Sequence, residues 1–275
     1  MGTTEPTDSG ALELYHFDRS SAARKVRIAL AEKGLEWKSH VLDTTVARRE
    51  HLDAGYLRLN PRGVVPTLIH NGKAVRESQV ILEYLEDVFP EPALRPTDPY
   101  QRAQMRLWTK LTDEGMHLQS RTLAVCIYMR HLHVAAGAEA VEAYYQAMPE
   151  AARRQNDLTN IEHGLDSPLL GEAVAYFKTV FHAIDSALAD NRWLAGESYS
   201  LADISIGVYV TRLTGLGMAP LWGDLADLNA WYERFRSRPS YAAGVERWGD
   251  HSSAERRQYA AEAFAVLESL WVAAC

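Results

Sequence analysis

A proline-rich segment at residues 90–99 divides the chain into two parts with different patterns. Four of its ten residues are proline, which lacks a backbone N–H and therefore ends helices and interrupts sheet ladders. Before it, short strand-like runs alternate with amphipathic helices, whereas no later segment shows convincing strand alternation. We therefore predict a small α/β domain followed by a larger all-helical domain. The expected boundaries are a disordered tail at residues 1–10, an α/β domain at 11–90, a linker at 91–98 and a helical domain at 99–275.

The first part has the order βαβ followed by ββα, which predicts a single mixed sheet. Leu12–His16 alternates in the period of a strand, and an amphipathic helix leads from it to a second extended run at residues 35–42. A crossover of this length joins parallel strands. Asn71-Gly72 between two extended runs predicts a hairpin, and an apolar helix with Ser78 at its N-cap completes the unit.

The second part shows only helical patterns. Six helices are predicted, at residues 100–133, 138–147, 170–189, 201–215, 225–237 and 254–273. The clearest start signal is the YSLAD motif, in which Ser200 can cap the helix and Asp203 can return the hydrogen bond as a capping box. Residues 150–168 are polar and poorly periodic, so we expect an ordered loop or a broken helix there.

The charge balance and the cysteine content argue against several classes of function. With 29 Lys+Arg against 36 Asp+Glu the net charge is −7, which disfavours a nucleic-acid or anionic-membrane binder because phosphate recognition depends on clustered cations. The only cysteines are Cys126 and Cys275, so we expect no disulfide framework, no cysteine-rich metal site and a reducing, cytoplasmic environment. No apolar run approaches the ~20 residues of a membrane span, and the N-terminus lacks the plan of a signal peptide.

The segment NPRGVVP at residues 60–66 is the first with a chemical implication. A cis bond at Val65-Pro66 would turn the backbone N–H and C=O of Val65 outward as an edge for an extended peptide. The alternative is a tight loop with an edge proline. Further on, Glu77-Ser78 opens a helix whose N-terminus can hold a carboxylate, although a solvated acid and a plain N-cap are simpler interpretations of each residue alone. Together the two features suit a small peptide with an α-carboxylate at one end.

In this combination the chain resembles the glutathione transferases, whose thioredoxin-like N-terminal domain carries the same VP and ES pairs and whose C-terminal domain is helical. The run RSSAARKVRIAL resembles the turn and first helix of the zeta, tau and phi classes, where the thiol-activating serine lies six residues before the helix valine. Val26 places Ser20 at this position, with Ser21 beside it. The resemblance implies that a hydroxyl hydrogen-bonds the glutathione thiolate and lowers the thiol pKa from about 8.5 toward neutrality. The alternative is a Ser-Ser helix cap.

The resemblance implies further glutathione-binding residues. His51 lies fourteen residues before Val65, where phi-class proteins place a histidine near the glycine carboxylate, and Arg62 could supply a cation to the same end. A surface histidine and a solvated arginine are the alternatives. Val64 stands where the family often has a ligand-bonding glutamine, so one side-chain contact is missing. Asp113 matches acids that reach the γ-glutamyl amine across a dimer interface, unless it is only a helix-face charge. The glutathione-binding residues that the resemblance implies also include Val65, Pro66, Glu77 and Ser78.

The sequence over residues 60–114 is similar to the bacterial β-etherases of the fungal-type transferase group, which cleave the β-aryl ether bond of lignin-derived dimers. The similarity is weak over residues 123–191. It implies that the glutathione thiolate attacks the carbon β to an aryl ketone, that phenolate leaves and that a thioether forms. Some β-etherases have Asn-Ser where this chain has Ala22-Ala23, so Ser20 or Ser21 must supply any hydroxyl. Candidates for an aromatic substrate pocket are Trp108, His117 and Tyr128, although aromatic residues at helical spacing are more often core.

Two other functions stay open. The zeta-like turn also fits a glutathione-dependent isomerase or dehalogenase of the zeta or theta type, and the fold could instead serve as a non-catalytic dimerisation scaffold. The turn holds Ala22 where the omega and beta classes keep a cysteine, which disfavours chemistry through a mixed disulfide. The expected partners are glutathione as co-substrate, a hydrophobic aromatic substrate and a second subunit, with a homodimer favoured over a heterodimer. No resident metal, nucleic acid or membrane is expected.

Overall fold

The computed structural model describes residues 11–249 and 253–274. The tail predicted at residues 1–10 and the terminal Cys275 lie outside these ranges. The sheet has the order β2-β1-β3-β4. Its strands are β1 at Leu12–His16, β2 at Lys38–Val41, β3 at Thr67–His70 and β4 at Lys73–Arg76. β1 and β2 are parallel and the other pairs are antiparallel, which confirms the predicted mixed sheet.

Burial in the sheet follows the position of each strand. In the central strand β1, Leu12, Leu14 and His16 are buried, and the residues between them are partly exposed. Both faces of the central strand β3 are covered, so all four of its residues are buried. The predicted hairpin joins β3 to β4 through Asn71 and Gly72, whose φ angles of 50° and 75° lie in the left-handed region that Asn-Gly turns require.

Three helices accompany the sheet. They are α1 at Ser21–Glu32, α2 at Ala54–Leu59 and α3 at Ser78–Val88. Helix α1 packs against α3 and also against helices α10 (Leu201–Thr214) and α12 (Pro239–Gly244) of the second part. Because α1 is covered on several sides, Arg24, Lys25 and Arg27 are buried along with its apolar residues.

The second part is helical, as predicted. Its remaining helices are α4 at Pro99–Leu111, α5 at His117–Ala124, α6 at Arg130–Ala136, α7 at Ala138–Ala147, α8 at Ala151–His163, α9 at Leu170–Leu188, α11 at Ala226–Arg236 and α13 at Ala254–Ala273. Helices α4, α5 and α6 are joined through π-helical turns at Thr112–Met116 and Val125–Met129. Residues 99–136 therefore form one long helix, which ends at Gly137 with a φ of 87°.

The prediction of a loop or broken helix at residues 150–168 was wrong for most of the segment, because α8 is a continuous helix. Its inward residues Asp157 and Asn160 are polar and nevertheless buried. Asp157 accepts hydrogen bonds from Arg121, and Asn160 accepts one from Ser167 Oγ at 2.7 Å. Because these inward residues are polar, the segment has no apolar periodicity, and its sequence pattern therefore did not indicate a helix.

Two local features fix the start of α10 and the contact between the helical part and α1. The capping box at the start of α10 is present, with Ser200 and Asp203 bonded reciprocally. The short helix α12, which the sequence did not predict, approaches α1 closely: a Cβ at Gly244 would lie 2.6 Å from Ile28 Cγ1. Glycine is thus required at this crossing. In the part of the chain that the structure describes, no helix combines the length and the apolar character needed to cross a membrane.

Candidate functional site

A cavity of about 380 Å³ opens between the sheet part and the helical part. From the sheet part it is lined by the turn before α1, the loop at residues 44–47 and the Val64-Val65 pair. The opposite wall is the long helix at residues 99–136, which contributes His117, Arg121, Tyr128 and their neighbours on one face. Its volume lies within the range of roughly 300–1,000 Å³ that is usual for small-molecule sites.

Both candidate serines line this cavity, but their hydroxyls differ in bonding. Ser20 is the N-cap of α1, and its Oγ accepts a hydrogen bond from the Ala23 N–H at 3.2 Å. Because this bond uses an oxygen lone pair, the Ser20 hydroxyl proton remains available to a ligand. Ser21 is buried, and its Oγ has no hydrogen-bond partner among the described residues. The helix cap and the proposed thiol contact are therefore compatible functions of one Ser20 side chain.

The Val65–Pro66 peptide bond is cis, which is one of the two alternatives that the sequence left open. The carbonyl of Val64 accepts hydrogen bonds from Tyr56 OH at 2.7 Å and Asn60 Nδ2 at 2.9 Å, which hold the segment in place. Among the described residues, none bonds to the backbone of Val65. Val65 borders the cavity, so its main-chain groups are placed where an extended peptide could pair with them.

At the start of α3 the assignment of Ser78 as N-cap was wrong. The cap position belongs to Glu77, which has a φ of 66° and whose side chain makes no capping hydrogen bond. Ser78 is the first helical residue, and its Oγ accepts a hydrogen bond from Lys25 Nζ at 3.5 Å. Since no side chain caps α3, the helix N-terminus keeps N–H groups that suit a carboxylate.

Arg62 and Asp113 lie near Glu77 rather than in the cavity. Arg62 Nη1 pairs with Glu77 Oε1 at 2.6 Å, and the same guanidinium also pairs with Glu150. Desolvation raises the pKa of Asp113, and the nearby Lys25 charge opposes that shift. The structure thus brings Arg62, Glu77 and Asp113 into one charged cluster, in which Arg62 already has two carboxylate partners.

Lys25 connects this cluster to the interior. Its Nζ donates to Thr112 Oγ1 at 3.0 Å as well as to Ser78, and it lies 5.0 Å from the ring centre of Tyr209. Desolvation lowers the pKa of Lys25 to about 7, and the charge of Asp113 only partly compensates. Lys25 is four residues after Ser21 on α1, which corresponds to about 6 Å along the helix axis. Helix α1 therefore carries both the serine turn that lines the cavity and the lysine that bonds to Ser78.

The buried Lys25 predicts a pH dependence of stability. The unfolded chain holds this proton up to a pH of about 10, whereas the folded protein releases it near pH 7. The unfolded state binds more protons between these values, so the Lys25 contribution to the free energy of unfolding rises with pH across that window. Urea unfolding of the wild type and Lys25→Met between pH 6 and 10 should give a difference that increasingly favours the wild type. Lys73→Met, at an exposed lysine of β4, is the control, and parallel pH curves for all three proteins would contradict the prediction.

His51 lines the cavity, so the alternative of a surface histidine was wrong. Its side chain is 2% exposed, and its ring lies 5.8 Å from that of Tyr144. Desolvation, with the charges of Arg153 and Arg121, lowers the pKa of His51 to about 4. The imidazole is consequently neutral at pH 7, and it could bind a carboxylate only as an N–H donor.

Of the three candidates for the aromatic pocket, two line the cavity. His117 Nδ1 lies 3.0 Å from Tyr209 OH, and desolvation together with the charge of Lys25 holds the pKa of His117 well below its ordinary value. Tyr128 also faces the cavity. Trp108 does not line it and instead packs, half-buried, against the hydrophobic core. Trp108 is therefore not a pocket residue in this structure.

Sequence reasoning missed the arginines of the cavity. The six that line it are Arg19, Arg24, Arg121, Arg153, Arg212 and Arg256. A signal was present in the sequence, because Arg121 follows His117 by one helical turn and Arg212 lies within the otherwise apolar helix α10. Arginine at an inward position of a helix is rare unless it is paired or faces a ligand. Within residues 11–249 and 253–274, no group of three His, Cys, Asp or Glu side chains is arranged to hold a metal ion.

The chain is similar to proteins of one family. It matches the description "Glutathione S-transferase, N-terminal domain" over residues 14–93 and "Glutathione S-transferase, C-terminal domain" over residues 138–234. Protein LigF of Sphingobium sp. (strain NBRC 103272 / SYK-6) is 32% identical over 244 residues, which cover 86% of this chain and 93% of LigF. The crystal structure of β-etherase LigF from Sphingobium sp. strain SYK-6 has a TM-score of 0.76 at 30% identity, covering 86% of this chain and 99% of that one.

Two further relatives have other activities in their names. Maleylacetoacetate isomerase of Pseudomonas aeruginosa is 43% identical over 96 residues, which cover 34% of this chain and 45% of the isomerase. Tetrachloro-p-hydroquinone reductive dehalogenase of Sphingobium chlorophenolicum is 28% identical over 242 residues, covering 84% of this chain and 94% of the dehalogenase. Enzymes of the shared family use glutathione as co-substrate. With a thioredoxin-like sheet domain, a helical domain and these matches over most of its length, the chain belongs to the glutathione S-transferase family.

Proposed function

We propose that the protein cleaves β-aryl ethers by transferring glutathione to the carbon β to an aryl ketone. The observation that carries the proposal is the position of Ser20: its hydroxyl, at the N-terminus of α1, faces a partly apolar cavity beside the free backbone of Val65. The similarity to β-etherase LigF over 86% of this chain supports the choice of substrate.

In the proposed reaction the Ser20 hydroxyl donates a hydrogen bond to the glutathione thiolate and stabilises it. The sulfur forms a bond to the β carbon while the carbon–oxygen bond breaks, and the phenolate leaves with the electron pair and is then protonated. A thioether conjugate and a phenol result. Holding both reactants against one surface supplies a large part of the rate enhancement.

We propose that glutathione lies along the edge of the sheet part. Val65 pairs with its cysteinyl backbone, and the start of α3 at Glu77 and Ser78 receives the γ-glutamyl carboxylate. Asp113 is close enough to Glu77 for the two charges to interact, and in a dimer it would reach the γ-glutamyl amine of the glutathione that the partner subunit binds. Neutral His51 is placed to donate to the glycine carboxylate at the other end. Arg62 orders Glu77 through their ion pair.

The experiment is incubation of the purified chain with glutathione and a panel of β-aryl ether ketones, maleylacetoacetate analogues and chlorinated hydroquinones. Glutathione-dependent release of phenol with formation of the thioether is the expected result. Isomerised product or released chloride without phenol would instead support the second candidate, an isomerase or a dehalogenase. Absence of every product, together with failure to bind immobilised glutathione, would overturn the enzyme proposal and support a scaffold.

The second candidate rests on the named activities of the isomerase and dehalogenase relatives. A reductive route that uses a protein thiol is disfavoured, because Cys126 is 1% exposed and burial raises its pKa to about 12. Cys126 is also not among the described residues that line the cavity. Transfer of glutathione to carbon needs no protein thiol, which favours the β-etherase reaction.

We further propose a homodimer in the cytoplasm. Apolar side chains on α3 and α4 are exposed in the single chain: Val80 by 56%, Tyr100 by 72% and Leu107 by 58%. Side chains of this kind are commonly covered by a partner subunit. Sedimentation at the mass of one 30.8 kDa chain would contradict the dimer.

A further inference from the structure

The charge of the cavity walls plays no part in the proposed displacement. Six arginines line the cavity, and among the described residues that line it there is no aspartate or glutamate. The whole chain nevertheless carries a net charge of −7. The cavity lining is thus cationic, in a protein whose net charge is negative.

Two of these arginines have carboxylate partners outside the cavity wall. Arg121 forms an ion pair with the buried Asp157 on α8, and Arg153 lies 4.0 Å from Glu150. The charges of both act on His51, so this pair belongs to the end of the cavity where we place the glycine carboxylate of glutathione.

Arg212 on α10 and Arg256 on α13 differ from that pair. Among the described residues, neither forms a salt bridge with a carboxylate. Arg212 Nε donates to the Ser120 carbonyl at 3.3 Å. The Arg256 guanidinium lies over the ring of Tyr128 at 5.5 Å, and its Nε is buried without a hydrogen-bond partner. Two cationic groups from different helices therefore converge on the same space with donors to spare.

The proximity of these cationic groups is electrostatically unfavourable. Desolvation lowers the pKa of Arg212 to about 9, and the charges of Arg256, Arg121 and Arg24 contribute to this shift. Desolvation also lowers the pKa of Arg256. Like charges that are held together out of water destabilise the fold unless an anion compensates them.

The wall beside these arginines is apolar. The long helix presents Ala124, Tyr128, Met129 and Leu132 to the cavity, and Leu216 adds to them. A ligand that binds both the apolar wall and the two arginines needs an aromatic or aliphatic body. It also needs an anionic group that can accept hydrogen bonds from two guanidinium groups.

We propose that the second substrate is an aromatic carboxylate, whose carboxylate binds Arg212 and Arg256 while its aryl body lies against the apolar face of the long helix. This inference rests on the proposed function and narrows its substrate class. It assigns the negative charge of the substrate to two arginines that the helical part contributes to the cavity.

The kinetic test uses two β-aryl ether ketones that differ only in one ring substituent, a carboxylate or the similarly shaped carboxamide. We expect the wild type to prefer the carboxylate in kcat/KM by about tenfold or more at low salt, with a smaller preference at 0.5 M NaCl, because screening weakens the ion pair. Arg212→Gln and Arg256→Gln should each reduce this preference about tenfold, and Arg256→Lys should retain part of it. Arg106→Gln, at an exposed arginine of α4 that pairs with Glu83, is the matched control.

A binding measurement separates this inference from the proposed function. 4-Phenoxybenzoate, without glutathione, should raise the melting temperature of the wild type, and 4-phenoxybenzamide should not; Arg212→Gln and Arg256→Gln should lose the effect of the benzoate. Ligand-free Arg256→Gln should melt at or above the wild-type temperature because it relieves repulsion.

A benzoate shift without any phenol release would support the anion site while overturning the β-etherase reaction. Equal turnover of the carboxylate and the carboxamide would overturn the anion site and leave the reaction standing. A rise in the KM for glutathione, rather than for the ether, in both variants would assign the arginines to glutathione and also overturn the inference.

Discussion

Asp203→Ala is expected to lower the free energy of unfolding by about 3–5 kcal/mol, because it leaves several buried N–H groups unpaired at a cost of ~1–3 kcal/mol each. The carboxylate of Asp203 accepts hydrogen bonds from the backbone N–H of Leu194 and of Ser200 and from Trp231 Nε1. Asp203 is fully buried, so water cannot replace these bonds. The loss is large compared with a typical total stability of about 5–15 kcal/mol. Urea unfolding, followed by circular dichroism, measures it.

The matched control is Asp98→Ala at the start of α4. Asp98 is also a helix cap and accepts a hydrogen bond from the Gln101 N–H at 2.8 Å, but it lies at the surface. Its loss should cost about 1 kcal/mol, as for an ordinary cap. If Asp203→Ala proves too unstable to purify, Asp203→Asn keeps some of the acceptor bonds and should unfold at an intermediate urea concentration. Equal destabilisation by the two alanine variants would show that Asp203 acts only as a cap.

Ser20→Ala is expected to reduce kcat/KM for glutathione transfer by about 10²-fold, which is the usual effect of removing one hydrogen bond to a reacting anion. Ser21→Ala should reduce it less. The reason is geometric: Ser20 caps α1 through its oxygen, which leaves its proton for the thiolate at the helix N-terminus. Steady-state kinetics with the wild type and both variants measures the order of the effects.

A second readout separates thiolate stabilisation from a structural effect of the cap. The pKa of the bound glutathione thiol, followed by thiolate absorbance, should rise toward about 8.5 in Ser20→Ala. Ser20→Thr, which keeps both the cap and the hydroxyl, should restore part of the activity. A larger loss in Ser21→Ala would assign the role to Ser21, whose buried hydroxyl has no partner among the described residues.

Features governed by neighbouring residues were predictable from the sequence. The hairpin at Asn71-Gly72, the cis peptide at Val65–Pro66 and the capping box of Ser200 and Asp203 are all present in the structure. Each depends on backbone preferences or hydrogen bonds within a few residues of the chain. For the same reason the first part was predicted in the correct order of strands and helices.

Features governed by distant partners were not predictable in this way. Helix α8 was missed because its buried Asp157 is satisfied by Arg121, which is 36 residues away. For His51 the sequence left two interpretations open, a residue near the glycine carboxylate or a surface histidine, and only the fold shows that it is buried beside Tyr144 of the helical part. Ser78 is not the N-cap, because the backbone turn at Glu77, with its φ of 66°, makes Ser78 the first helical residue, where its hydroxyl accepts a hydrogen bond from Lys25 of another helix.

The amino-acid sequence by itself determined the two-part architecture, the glutathione S-transferase family and the candidate residues of the peptide edge, since these depend on periodicity and on motifs that are continuous in the chain. It also determined the net charge of −7, which argued against a binder of nucleic acid or of anionic membranes. Only the tertiary structure decided where the charges lie. Arg212 and Arg256 are 44 positions apart in the chain, yet both line the same cavity as Ser20. Because electrostatic interactions act through space and weaken with distance, the charge of a site depends on which helices converge there and not on the total charge.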